Sequence, residues 1–235
     1  MGNEPRRAGR PTRPVLNRQM IAEQALAFVA ESGLERLTMS QLAKELGVAA
    51  SALYNHLDNK ADLVLLIQEA LMSQVSVRGM VGVIALRTTL EEALEDWARS
   101  YRAVFAKYPS LIPLIAVTPV SDAPQSSRMY NVVAQALMVA GVPEPQVINV
   151  IVAFESFLFG SALDLNAPST VLDAGDESEG SAWLARAVSA SKRAHDESAE
   201  APDANNVYAD HPFRFGLSAL IAFTLALTGQ PAAAD

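Results

Sequence analysis

The sequence predicts an all-α protein in two parts, an N-terminal three-helix head built on a helix-turn-helix and a C-terminal helical bundle. Three observations carry that expectation. Half of the residues are apolar and only 6% aromatic, and the apolar ones recur at three- and four-residue spacing with few strand-like alternations. The stretch LTMSQLAKELGVAASALYNHLDNK, residues 37–60, reads as two short helices around a glycine turn. Charge divides along the same line: residues 1–60 hold eight Lys/Arg and six Asp/Glu, residues 61–235 ten and twenty, so +2 is followed by −10. An acidic body keeps nonspecific contact with nucleic acid weak, and a basic end localises it.

Residues 1–17 form a basic arm. RRAGRPTRP is too rich in Pro, Gly and Arg for a helix, and Gly9-Arg10-Pro11 is similar to the minor-groove AT-hook. Arg10 is its candidate groove-reading residue, since an extended arm can place an arginine in a narrow A·T groove; a solvated tail without a role remains the alternative. The head spans residues 18–60. Its first helix runs from about Arg18 to Ser32, with Ile21, Ala25, Phe28 and Val29 inward and Gly33 ending it. Thr38 and Gln41 have capping-box spacing, Leu42 and Leu46 supply the buried face of the second helix, and Gly47 ends it. A third helix turns Val48, Leu53 and Leu57 inward and leaves Ser51, Ala52, Tyr54, Asn55 and His56 outside. Slim, polar and aromatic residues on an outward face suit a helix that must enter a major groove.

The match over about residues 17–67 (spacing, turn glycine, Leu-Tyr-x-His, and the Asn-Lys opening of the next helix) resembles the tetracycline-repressor (TetR-type) family of bacterial transcription regulators. The resemblance implies that Thr38 and Ser40 begin a helix lying across the DNA backbone. It implies that Ala50, Ser51 and Ala52 sit over base edges of a double-stranded operator, with Asn55 on the same side. Tyr54, His56 and Lys60 would meet phosphates. Ser40 and Ala50 stand where the tetracycline repressor itself has long polar side chains, so its operator does not carry over.

The body spans residues 61–235. Helix four, capped by Asp58 or Asn59, carries an apolar stripe of Leu63, Leu66, Ile67, Ala70 and Leu71 and is expected to end near Val77, linking head to body. Thr89 and Glu92 open a helix with Trp97, Tyr101, Phe105 and Tyr108 on one face. Rings at that spacing build either a core or the wall of a small-molecule pocket. Pro109, Pro113, Pro119 and Pro124 interrupt the chain, and a helix follows over residues 125–140. Residues 147–163 are too short and too polar for a membrane span and read as a buried helix with one charge, Glu155, which needs a partner, water or a ligand. Trp97, Tyr101, Phe105, Phe154, Glu155 and Leu158 are the candidate effector residues.

Acidic connections at 166–180 and 198–212 flank a helix over 181–195, and FRFGLSALIAFTLALTG closes the chain. This last helix also resembles that of the family, where two C-terminal helices per subunit form a four-helix dimer interface. Phe215, Leu217, Leu220, Phe223 and Leu227 are its candidate contacts. Without cysteine, thiolate chemistry and disulfides are excluded. His195 and His211 lie in acidic stretches without ligand spacing, and Glu155 and Asp164 do not share a helical face. The expectation is therefore no enzyme, no catalytic residue, no metal and no cofactor. Where the tetracycline repressor has a magnesium-binding histidine, this chain has Ile115. Two functions remain: a cytoplasmic homodimeric repressor released by a small, largely apolar effector, or an effector-independent DNA-binding protein whose body only dimerises.

Overall fold

The computed structural model describes residues 15–168, 170–172, 181–196 and 207–229. Arg10 and the rest of the arm to residue 14 lie outside them, as do residues 169, 173–180 and 197–206 of the acidic connections. Among the described residues there are eleven α-helices and no strand. The chain divides into two compact units, Met1–Ile67 and Gln68–Asp235, with the boundary inside the fourth helix.

The first unit holds α1 (Arg18–Ser32), α2 (Met39–Leu46), α3 (Ala50–Leu53) and the start of α4 (Lys60–Met72). The side chain of Asn17 caps α1 by accepting the Met20 N–H at 2.9 Å, and Gly33 ends it at φ 81. The Thr38 hydroxyl accepts the Gln41 N–H at 3.1 Å; the reciprocal half of the box is not made. Gly47, at φ 65 and ψ 33, ends α2 with its N–H on the Lys44 carbonyl while the Val48 N–H reaches the Ala43 carbonyl. That pair of bonds satisfies the orphan carbonyls of the last turn, and the left-handed residue it requires is the reason for glycine. Ile21, Ala25, Leu26, Val29, Leu37, Leu42, Leu53, Leu57, Leu63 and Ile67 are the buried core. Phe28 is only half-buried, and Leu26 takes the inward place expected of it.

The second unit begins at Gln68. Here α4 ends at Met72, short of Val77, because Ser73 turns its hydroxyl onto the Ala70 carbonyl at 2.8 Å and Ser100 Oγ accepts the Ser76 N–H at 2.7 Å. A helix the sequence reading missed follows, α5 (Arg78–Ile84). Two glycines and a run of β-branched residues argue against a helix there, yet close packing on α6 (Leu90–Ala106) overrides propensity. A Cβ on Gly79 would stand 2.8 Å from the Ala93 Cα. Both bonds of the Thr89/Glu92 capping box are present in α6, and Tyr108 falls beyond its end instead of on its face.

Against α6 pack α5, α9 (Glu144–Asp164) and α11 (Val207–Leu227), while α8 (Pro124–Val139) packs on α5 and α9, with a short α7 (Ile112–Ile115) after Pro109. Here α9 is 21 residues, longer than the 17 expected, and has the length and hydropathy to cross a membrane. It instead buries Val147, Val150, Ile151, Phe154, Leu158 and Ala162 in the bundle, as a core helix does. The last helix begins at Val207, six residues before Phe213, and carries Pro212 inside it. Assigning residues 198–212 to a connection therefore placed the start too late. The remaining helix, α10 (Ala182–Asp196), leaves Trp183 80% exposed.

Candidate nucleic-acid interface and effector site

A four-residue helix such as α3 cannot hold itself together in water. Burial of Leu53 and Leu57, at about 2 kcal/mol each, pins it from beneath. From behind, Arg18 donates to the His56 carbonyl and, at 3.0 Å, to Asp62 in the first turn of α4. The Arg18 hydrogen bond holds the Asp62 carboxyl below its ordinary range. With α3 so fixed, Ala50 and Ser51 are exposed and Ala52 half-exposed, a slim surface able to approach base edges. Thr38 and Ser40 are exposed at the start of α2; Tyr54, at 54%, and Asn55 are exposed and His56 half-exposed in the turn after α3.

Lys60 is the first residue of α4 and exposed, and Asn59 caps that helix by accepting the Asp62 N–H at 3.0 Å. A cation at a helix N-terminus is unfavourable by itself, since both repel. Beside an anion the two add, so Lys60 at this end of α4 is a candidate phosphate contact.

In the second unit the structure brings together Trp97, Tyr101, Phe105, Phe154 and Glu155. Trp97 meets Tyr101 and Phe154 with ring centroids at 5.8 Å, and Tyr101 stacks on Phe105 at 4.6 Å. Leu158 is buried on the same helix as Phe154. Trp97, Tyr101 and Phe105 are essentially inaccessible, so the aromatic stripe is core; the Tyr101 hydroxyl donates to Glu155 Oε1 at 2.7 Å, and the buried Trp97 indole N–H has no acceptor among the described residues. Tyr130 on α8 donates to the same oxygen. Burial, followed by the Glu155 charge, raises the Tyr130 hydroxyl above its ordinary value; burial does the same at Tyr101, reinforced by Tyr130 and Glu155.

The sequence reading missed Tyr130 and Phe159, whose ring lies 5.6 Å from Tyr101 and 5.0 Å from Phe105. A signal for Tyr130 exists in principle: a lone carboxylate in an apolar helix requires donors, and tyrosines on neighbouring helices are the natural source. Also missed was Arg102, buried at 7% and bonded to Asp210 Oδ1 at 2.6 Å, the Ala209 carbonyl at 2.9 Å and the Ser161 carbonyl at 3.3 Å, over the Phe213 ring. It ties the first turns of α11 to α6 and α9.

The five candidate dimer residues are divided by the structure. Leu217 packs inward on its own chain, Leu220 and Leu227 are half-buried, and Phe215 and Phe223 face outward at 80% and 63% exposure. Phe215 and Phe223 are two helical turns apart on one outward stripe of α11.

Two family models match: one described as bacterial regulatory proteins, tetR family, over residues 21–67, and one described as tetracyclin repressor-like, C-terminal domain, over residues 85–223. Among curated proteins the chain is similar to the HTH-type transcriptional repressor DrrR1 of Streptomyces coeruleorubidus, 25% identical over 67% of this chain and 56% of that one. The chain spans about half the length of the first curated relatives it matches. Among solved structures, apo ActR from Streptomyces coelicolor superposes with a TM-score of 0.70 at 21% identity, covering 93% of this chain and 99% of that one; ActR is also known in complex with actinorhodin. BioQ bound to its double-stranded DNA operator superposes at 0.56 and 17% identity, covering 90% and 99%. At these identities the structural likeness shows the shared fold.

Proposed function

Because the chain belongs to the TetR family of bacterial regulatory proteins, we propose that it is a ligand-responsive repressor that binds a palindromic operator as a homodimer and is released by a small, largely apolar effector. The observation that carries the DNA-binding half is the surface of Ala50, Ser51, half-exposed Ala52 and, in the following turn, Tyr54, on a short helix clamped from behind by Arg18, with Lys60 at the adjoining helix N-terminus. Arg10 of the arm serves a flanking minor groove. The work is done in the cytoplasm, where the operator is.

Support for the effector half comes from relatives. ActR binds actinorhodin, and a TetR variant of Acinetobacter baumannii AYE binds minocycline. Trp97, Tyr101, Phe105, Phe154, Glu155 and Leu158 form the responsive region, and Phe215 and Phe223 with Leu220 and Leu227 provide the outward stripe for a second copy. A ligand shifts the repressor only by the difference of its affinities for the bound and released states, so 100-fold relief needs about 2.7 kcal/mol of differential binding. The complete burial of Trp97, Tyr101 and Phe105 favours a second reading, in which the body only dimerises.

Selection of bound DNA from a random pool, followed by mobility-shift titration, tests the first half. The expected product is a palindrome with half-sites about one helical turn, ~34 Å, apart. Tyr54→Ala and Lys60→Ala should weaken binding on all sites, whereas Ser51 variants should change the selected sequence. Unchanged operator affinity in Tyr54→Ala would refute the interface. Thermal-shift screening of small molecules, with operator release as the second readout, separates the two readings of the body.

A further inference from the structure

Resting on the DNA-binding reading above, we infer that the operator half-site is read as A·T pairs: Ala50 and Ala52 contact thymine C5-methyl groups in the major groove, and the Asn55 carboxamide pairs with an adenine. Every base shows a different edge in that groove, and each edge calls for its own side chain. Guanine calls for arginine or lysine, cytosine for aspartate or glutamate, adenine for asparagine or glutamine, and thymine for an apolar methyl. Residues 49–56, Ala-Ala-Ser-Ala-Leu-Tyr-Asn-His, hold no arginine, lysine, aspartate, glutamate or glutamine. The groups that select guanine and cytosine are therefore missing from α3 and the turn after it, while those for adenine and thymine are present.

The helix presents these groups outward. Leu53 is fully buried, so Ser51, two residues before it, points away from the head, with Ala50 and Ala52 to either side. Ala50 and Ser51 are exposed and Ala52 half-exposed. Such short side chains bring a base edge against the helix itself, where a thymine methyl fits and a longer side chain would hold the bases off. Asn55 is exposed in the following turn, and neither its carboxamide nor the Ser51 hydroxyl has a hydrogen-bond partner among the described residues. The described basic side chains of the head stand on other elements. Arg18 is spent on the His56 carbonyl and Asp62, Arg36 precedes α2, Lys44 lies in its last turn, and Lys60 opens α4. Tyr54 and His56 are left to the phosphates.

The test uses the full chain and the operator selected from the random pool, with affinity read by fluorescence anisotropy. Deoxyuridine replaces thymidine one position at a time, which removes the C5-methyl and leaves base pairing intact. Binding about fourfold weaker is expected for each methyl in contact. Exchanging the same T·A pair for 5-methylcytosine·guanine, which keeps the methyl, should cost less than exchanging it for cytosine·guanine. Ala50→Gly or Ala52→Gly should erase the thymine-to-uracil difference at its own position, because a pairwise contact is lost once either partner is gone. The native chain on uracil-bearing DNA carries the test if a glycine variant does not fold. Asn55→Ala should lower the preference for adenine over guanine by about tenfold at one position of the half-site. An operator bound as tightly with uracil as with thymine at every position, or one whose half-sites are fixed by guanine and cytosine, would overturn the A·T inference while leaving the repressor intact. A pool that yields no preferred sequence removes the DNA-binding reading and this inference together.

Discussion

The carboxylate of Glu69, near the end of α4, accepts the backbone N–H of Gln125 at 2.9 and 2.8 Å, one oxygen each. Its Oε1 also approaches the Ser126 N–H at 3.5 Å. Since α8 opens with Pro124 and has no side-chain cap of its own, a residue 56 positions upstream does the work of an N-cap and brings negative charge to the positive end of the helix. Next to it, Gln68 donates to Ser126 Oγ at 3.4 Å. The helix that Glu69 caps also carries Tyr130, so α8 joins the end of α4 to the Glu155 cluster. Glu69→Ala should lower stability by about 1 kcal/mol, with Glu69→Gln retaining part of the cap. Denaturant unfolding of the native chain and the two variants checks this.

Gln68 offers a test of sign. Its Oε1 is buried without a partner and its single bond is long. Leaving a buried acceptor unmet costs more than the weak bond returns. Gln68→Met with Ser126→Ala, which removes both polar groups together, should be neutral or stabilising in a urea titration, whereas Ser126→Ala alone should destabilise.

Asp210→Ala should be among the most damaging substitutions in the body. It would leave Arg102, with 8% of its side chain exposed, as an uncompensated charge, at a cost of about 3 kcal/mol. The double variant Arg102→Met with Asp210→Ala should recover much of that loss. Thermal unfolding of the two single variants and the double variant gives the coupling directly.

The tyrosine pair sets an alkaline limit on stability. Both hydroxyls titrate above the ordinary value of 10.0 in the folded chain. The unfolded chain releases these protons near pH 10 while the folded chain keeps them. Their contribution is therefore whole below about pH 10 and is lost as pH climbs from there toward the folded values. Unfolding free energy should decline above pH 10, and less steeply in Tyr130→Phe. A decline of equal slope in Tyr130→Phe and the native chain would remove Tyr130 from this account.

Phe215 and Phe223 predict the assembly. Replacing Phe223, 63% exposed on the outward stripe of α11, by Arg should leave the monomer fold intact and shift sedimentation toward monomer, with operator affinity falling in parallel. Leu217→Ala, by contrast, should lower stability through its own chain's core by about 2–4 kcal/mol.

What could be read from residues alone follows the range of the forces involved. Capping and turn signals are local, so Arg18–Ser32, the Thr38 cap, Gly47 and the Thr89/Glu92 box were legible to the residue. Helix α5 was not, because Gly79 is required by the close approach of Ala93 on α6 and Gly82 by that of Thr88, while locally both look like breakers. The start of the last helix was hidden for the same reason: its first turn is held by Arg102, which reaches the Ala209 carbonyl from 107 residues away. At Glu155 the sequence exposed the need for a partner but not its identity, since Tyr130 is fixed only by how α8 and α9 pack.

Gly47 touches no other side chain, and a Cβ built on it would meet nothing within 4 Å, yet its left-handed φ of 65 sets the angle at which α3 leaves α2. Any residue but glycine or asparagine there would strain the turn by about 1 kcal/mol, too little to unfold the head and enough to mis-aim it. In a genetic screen for derepressed colonies, alleles at position 47 should thus surface beside those at Ser51 and Tyr54. They would be distinguished by near-normal protein levels and by suppression when the culture is cooled.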